Sequence, residues 1–407
     1  MPEAKFPHQR TIWPRYMHAM GRIRRGTMRA RSPNIVELRR SSLVLVCCCL
    51  IALSACLGAV AAVLLAKSRS KPAELTVGAP DRPLVTVPVR LAGVIDDRAR
   101  FRQIFCALDA DHGARFLVRR TCKESLQQLA GEGPSPSHPL SLGPPRGTPL
   151  LHIVLIPGMF GQCVRQRALP LQDAATFLRT QGYRVDTIDV GGRSSSEQNS
   201  DMIARALPQL LKPGERLLLI GYSKGISDIL ETLVIHPEAI PPGSAIVSLA
   251  GIVSGTPIAD HTARLDQLVS DLPLASCGSG DKAAVESVSR RHRIAWLADH
   301  SLPLDRTYFS IAAFTDKAHV SRPLEETYRE LSAIDPRNDG QVITTDAIIP
   351  GSYLLGYLNA DHWAVALPLA RNVPKLRPVF SGRNDYPREI LLEAIVRSVE
   401  EREQQMP

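Results

Sequence analysis

Between Arg216 and Val234 the chain reads RLLLIGYSKGISDILETLV, and Ser223 stands between Gly221-Tyr222 and Lys224-Gly225 where a strand-like run gives way to a helical pattern. A serine held at a strand-to-helix turn between glycines is the arrangement that lifts a nucleophilic hydroxyl into the open. An ordinary tight turn is the other reading, so the partners decide. A hydroxyl is a poor nucleophile at neutral pH and needs an adjacent base. His362, in NADHWAVALP, is the best placed: it comes late in the chain, beside the turn-like Asn359-Ala360-Asp361. His152 lies inside a strand-like run, His236 ends a helical one, and His261, His292 and His300 fall in an irregular stretch. The base needs a carboxylate to orient it. Asp339, in DPRNDGQVITTD, precedes His362 by 23 residues, with Asp346 and Asp361 as rivals. Asp361 adjoins the histidine in the chain, a poor position for bonding its ring. The order Ser, Asp, His is one known way of assembling such a set.

Attack on an acyl carbon places negative charge on the carbonyl oxygen, and two backbone N–H groups must face it. Losing one such donor costs about 3 kcal/mol. Lys224 N–H, opening a helix after Ser223, is one candidate. The other is Met159 N–H in IPGMFG, where Gly158 lets the chain turn. The Lys224 side chain reads as solvated, with attraction of acidic substrates as the alternative.

These residues need a frame. LLHIVLIPG, YRVDTIDV, RLLLIGYS, AIVSLAG and TYFSIAAF read as strands. LQDAATFLRTQG, SSEQNSDMIARALPQLL and KGISDILETLVIHP read as the helices between them, with Pro208 expected to kink or shorten the second. Apolar strands alternating with helices predict a mostly parallel sheet covered on both faces. Ligands of such sheets bind at the carboxyl ends of the strands, where Ser223 falls. Residues 252–304 interrupt the rhythm as a Gly/Ser-rich, mixed helical stretch. A long irregular region follows Phe314, and a last helix begins near Arg388.

On these motifs residues 150–407 resemble an α/β-hydrolase, and most nearly the bacterial serine lipases and esterases. The elbow is Gly221 to Gly225, the oxyanion turn is Pro157-Gly158-Met159-Phe160-Gly161, the acid sits in Asn338-Asp339-Gly340, and the base is His362. The resemblance implies a Ser223–His362–Asp339 triad, with Met159 and Lys224 N–H groups as oxyanion donors, the 252–304 insertion as a cap over the site, and no metal or cofactor. Pro157 departs from the histidine usual before that glycine.

The remainder concerns address. The chain has 407 residues and a net charge of +9, but ten Lys/Arg fall in residues 1–42 against Glu3 and Glu37, leaving the rest near neutral. A nucleic-acid partner is therefore not expected. Leu43 to Ala66 carries no charge and is long enough to span a bilayer. The basic arm before it predicts a cytoplasmic N-terminus and an extracytoplasmic hydrolase domain, periplasmic in a Gram-negative cell. Cleavage at a lipoprotein-like LSAC ending in Cys56 is the rival, and Met17, Met20 or Met28 is an alternative start. Residues 67–149 read as a linker and a small helical accessory region, with a strand at LVTVPVRL and a helical pattern from Asp97 to Leu129. Of eight cysteines, Cys106, Cys122, Cys163 and Cys277 lie beyond the apolar run, and three pairings are open. The expected activity is cleavage of a carboxylic ester through an acyl-enzyme, a lipid-like ester being compatible with a cap and a tether. Acyl transfer by the same residues and a catalytically silent scaffold are the alternatives.

Overall fold

A computed structural model describes residues 93–134 (apart from 117, 119 and 130), 151–161, 169–260, 278, 280–372 and 385–405. The chain divides into Met1–Glu74 and Leu75–Pro407, and all described residues belong to the second unit. The basic arm, the apolar run Leu43 to Ala66, the LVTVPVRL strand, Cys163 and Cys277 lie outside the described residues. Among the described residues no helix is long and apolar enough to cross a membrane.

Among the described residues eight strands form one sheet: β1 (Ile95–Asp96), β2 (Leu126–Gln127), β3 (Leu151–Ile156), β4 (Arg184–Thr187), β5 (Arg216–Tyr222), β6 (Ala245–Leu249), β7 (Thr307–Ala313) and β8 (Tyr353–Leu358). Their order is β1-β8-β7-β6-β5-β3-β4, with β2 also pairing to β8. All pairs are parallel except β2 with β8. The longer helices are α1 (Arg98–His112), α2 (Gln172–Thr180), α3 (Ser196–Leu210), α4 (Lys224–Ile235), α5 (Arg290–Asp299), α6 (Glu325–Ser332), α7 (His362–Ala366) and α8 (Arg388–Gln405).

The continuous apolar strands are explained by two cores. Successive side chains leave a strand on opposite faces. Leu151, Ile153 and Leu155 of β3, with Leu218, Ile220 and Tyr222 of β5, pack against α1, α2 and α8. Val154 and Ile156, with Leu217 and Leu219, face α3, α4 and Trp296. Helix α3 runs on past Pro208 to Leu210, and Ser195 caps the other end by accepting the Gln198 N–H at 3.1 Å.

Two differences from the sequence reading matter. Residues 95–127, expected in an accessory region, share the hydrolase sheet and its core. Phe101, Ile104, Phe105 and Leu108 of α1 are buried with the strands, and a Cys106–Cys122 disulfide ties α1 to the turn before β2. The region after Phe314 also contains β8, which Gly356 disguises. A Cβ there would touch the Phe101 ring of α1 at 3.4 Å, an ordinary contact, so β8 packs directly under α1. Strand β8 leads directly to His362.

Candidate active site

Strands β3 and β5 run in register, Ile156 opposite Gly221, so their carboxyl ends bring Gly158 against Ser223. Ser223 follows β5 and precedes α4, with φ of 56° and ψ of −127°. A non-glycine residue at positive φ is uncommon, and such strain clusters at functional sites. Neighbouring backbone holds it: Ser223 N–H donates to Leu249 O at 3.3 Å, and Ser223 O accepts Ile252 N–H at 3.0 Å. Both flanking glycines are sterically required. A Cβ at Gly225 would lie 2.2 Å from Ile156 O, and one at Gly221 would lie 2.5 Å from Ile226 Cα.

His362 opens α7 just after β8. Its Nε2 is 2.8 Å from Ser223 Oγ, and its Nδ1 is 2.7 Å from Asp339 Oδ2. Its backbone N–H also donates to Asp339 O at 2.8 Å, binding the two segments twice. The other Asp339 oxygen accepts the N–H groups of Gln341 at 2.9 Å and Val342 at 2.7 Å, which lock the carboxylate. Ser223 is 5% exposed, and His362 and Asp339 are buried.

The rival residues go elsewhere. Asp361 caps α7, accepting from Ala364 N–H at 2.8 Å and from Ser321 N–H at 2.7 Å. Asp346 Oδ1 accepts from Arg290 at 3.0 Å. His152 Nε2 meets Asp186 at 2.7 Å, His236 Nε2 meets Asp201 at 2.8 Å, and His300 Nδ1 meets the Trp296 carbonyl at 2.8 Å. His292 lies on α5, with burial and nearby Arg293 lowering its pKa, and His261 lies outside the described residues.

The Met159 and Lys224 N–H groups have no acceptor among the described residues, whereas Phe160 N–H donates to Gly192 O at 3.1 Å. Gly158 permits this approach, since a Cβ there would be 2.6 Å from Ser223 Cβ. The Lys224 side chain corrects the sequence reading. It is 1% exposed and pairs with Asp228, also buried, at 2.5 Å. Burial lowers the lysine pKa and raises that of the aspartate, each opposed by the partner charge. An i,i+4 Lys–Asp pair is legible in a helix, but its burial is not. The sequence reading also missed Tyr222. Its hydroxyl donates to His362 O at 2.8 Å, and its ring centroid is 5.1 Å from the imidazole's.

No protein-family model matches the chain, and no curated protein matches it. Among solved structures, a metagenomic carboxyl esterase, MGS0156, is 40% identical with a TM-score of 0.74, over 79% of this chain and 97% of its own. Bacillus licheniformis lipase BlEst2 in its mature form is more distant, at 21% identity and a TM-score of 0.44, over 60% of this chain and 94% of its own. At 40% identity across nearly the whole esterase, the chain belongs to the lipase- and esterase-like α/β-hydrolases.

Proposed function

We propose that the protein is a serine hydrolase that cleaves a carboxylic ester in two steps, through an acyl group carried on Ser223. The observation behind this reading is the unbroken contact from Ser223 Oγ to His362 Nε2 at 2.8 Å and from His362 Nδ1 to Asp339 Oδ2 at 2.7 Å. The carboxyl-esterase description of the relative MGS0156 supports the same reaction class.

Ser223 Oγ attacks the acyl carbon while His362 Nε2 takes its proton. Asp339 accepts the Nδ1–H bond and stabilises the imidazolium. The carbonyl oxygen becomes an oxyanion facing the Met159 and Lys224 N–H groups. When the intermediate collapses, the bond to the alcohol oxygen breaks and His362 returns the proton to it. Water then repeats the sequence on the acyl-enzyme, releasing the acid and restoring Ser223. The reading extends to a single-pass anchor at Leu43 to Ala66 with the hydrolase domain outside the cytoplasm. The uncharged run after a basic arm supports it. A tethered enzyme meets lipid-like esters at its own membrane, which makes them the first substrates to assay.

Ser223→Ala tests the mechanism. It should abolish hydrolysis of p-nitrophenyl esters and labelling by a fluorophosphonate probe, with the folded state retained because one small side chain replaces another. Full esterase activity in the pure, folded variant would overturn the proposal.

A further inference from the structure

The two proposed oxyanion donors sit on different segments, the turn after β3 and the first residue of α4. Oxyanion stabilisation depends on donors held in place before charge develops. The sheet aligns β3 with β5, but Met159 and Phe160 lie beyond its last paired residue, Ile156. A second tether runs below them. Lys224 Nζ meets Asp228 Oδ1 at 2.5 Å. Asp228 Oδ2 accepts from Asn199 Nδ2 at 2.8 Å. Asn199 then clasps Gly191 from both sides, Oδ1 accepting its N–H at 2.9 Å and Nδ2 donating to its carbonyl at 3.2 Å. The next carbonyl, Gly192 O, receives Phe160 N–H at 3.1 Å. From outside, Asp281 accepts Ser195 N–H at 2.8 Å and its hydroxyl at 2.5 Å, holding the same loop.

Lys224, Asp228 and Asn199 are each 1% exposed. A buried ion pair adds little stability over apolar residues of similar volume, so stability alone is a weak reason for it. Geometry is a better one: the chain of contacts begins on the residue that supplies one donor and ends on the turn that supplies the other.

We propose that Asp228 and Asn199 are positioning residues, fixing the Met159 turn relative to Lys224 N–H so that both donors meet the same oxyanion. This rests on the reading of those two N–H groups given above. Asn199 acts through the Gly191–Gly192 backbone, and Asp228 through the Lys224 side chain.

Two variants test it. Asn199→Ala cuts the tether and leaves the ion pair whole, and Lys224→Met/Asp228→Leu replaces the pair with apolar side chains. Each is purified, and its active sites are counted by fluorophosphonate titration. Both kcat and KM are measured on a p-nitrophenyl ester. Affinity is measured for a phenylboronic acid, whose boron bonds Ser223 Oγ and becomes a tetrahedral anion as the proton passes to His362. Per titrated site, kcat should fall about 10- to 100-fold, the scale on which small misplacements cost rate, with KM little changed. Boronate affinity should fall in proportion to kcat/KM. A merely structural role predicts fewer titratable sites and a lower Tm, with kcat per site and boronate affinity unchanged, and that result overturns the proposal. Should the double variant fail to fold, Asn199→Ala decides by the same readouts. If Ser223→Ala keeps esterase activity, the mechanism itself has failed. If Ser223→Ala is dead while both variants keep kcat per site, only the positioning role has failed.

Discussion

Asp339, Asp346 and Asp361 all precede His362 within a short stretch of chain, and each ends in a different environment. Asp339 faces the imidazole, with its second oxygen held by two backbone N–H groups. Asp346 is buried beside Arg290, and burial pushes its carboxyl up to about 7. Exchange to asparagine should therefore separate them. Asp339→Asn removes the acceptor that fixes the His362 tautomer and should lower kcat by about 10⁴. Asp346→Asn should leave kcat nearly unchanged, so a crippled Asp346 variant would reverse the assignment. Stability supplies the second readout. The Asp346 carboxyl titrates at about 3.9 when unfolded, below its folded value. Between those values the folded state binds more protons, so the natural chain loses stability as pH rises, and the loss is complete above the folded pKa. Measured by denaturant unfolding, the stability of Asp346→Asn relative to the natural chain should rise from about pH 4 to about pH 7 and then level off.

At the scale of elements, the elbow is a packing problem solved by glycine. Helix α4 begins so close to the end of β3 that a Cβ at Gly225 would meet Ile156 O at 2.2 Å and Pro157 O at 2.9 Å. Both contacts are backbone and cannot rotate away. Gly225→Val should therefore push α4 from the sheet, destabilising the fold by about 3 kcal/mol. Esterase activity should fall in the remaining folded molecules, because Ser223 and Lys224 N–H move with the helix. Ser223→Ala, by contrast, should lose activity at unchanged Tm. A Gly225→Val protein with normal Tm and normal kcat would show that the elbow has room that the structure denies it. The first helix shows the same dependence on neighbours: Phe101 of α1 lies over Gly356 of β8, two strongly separated segments meeting in one core.

At the scale of the whole molecule, the proposed anchor sets where the hydrolase works. The Cys106–Cys122 disulfide is of a kind that persists in oxidising compartments. It agrees with the proposed topology, in which residues after Lys67 lie outside the cytoplasm. Protease added to cells stripped of any outer membrane, with the cytoplasmic membrane still sealed, should digest the hydrolase domain, and reporter fusions after Lys67 should be active only where they report an external position. Protection of the domain from external protease would sink that orientation. A lipid-modified N-terminal Cys56 would leave the orientation standing and replace the spanning helix by a lipid anchor.

Local chemistry was written in the chain. Continuous apolar strands, Gly221 and Gly225 around Ser223, the Asn338-Asp339-Gly340 turn and the order Ser, Asp, His are short-range patterns, because strand burial, turns and elbows are set by neighbouring residues. The expectation of a mostly parallel sheet with helices on both faces follows from the same local signals. Contacts between distant segments were not legible. Sequence separated Asp339 from Asp361 by turn and spacing, but it did not show that Asp361 ties the start of α7 to Ser321, forty residues earlier. It did not show that Lys224 turns inward to Asp228, because a single lysine in a helix has no local sign of burial. It concealed β8, whose run YLLGYL is interrupted by Gly356 and packs under the Phe101 ring of a helix more than two hundred residues earlier. Periodicity records which face of an element is apolar, and only the packing of that face against its partners decides which side chains meet.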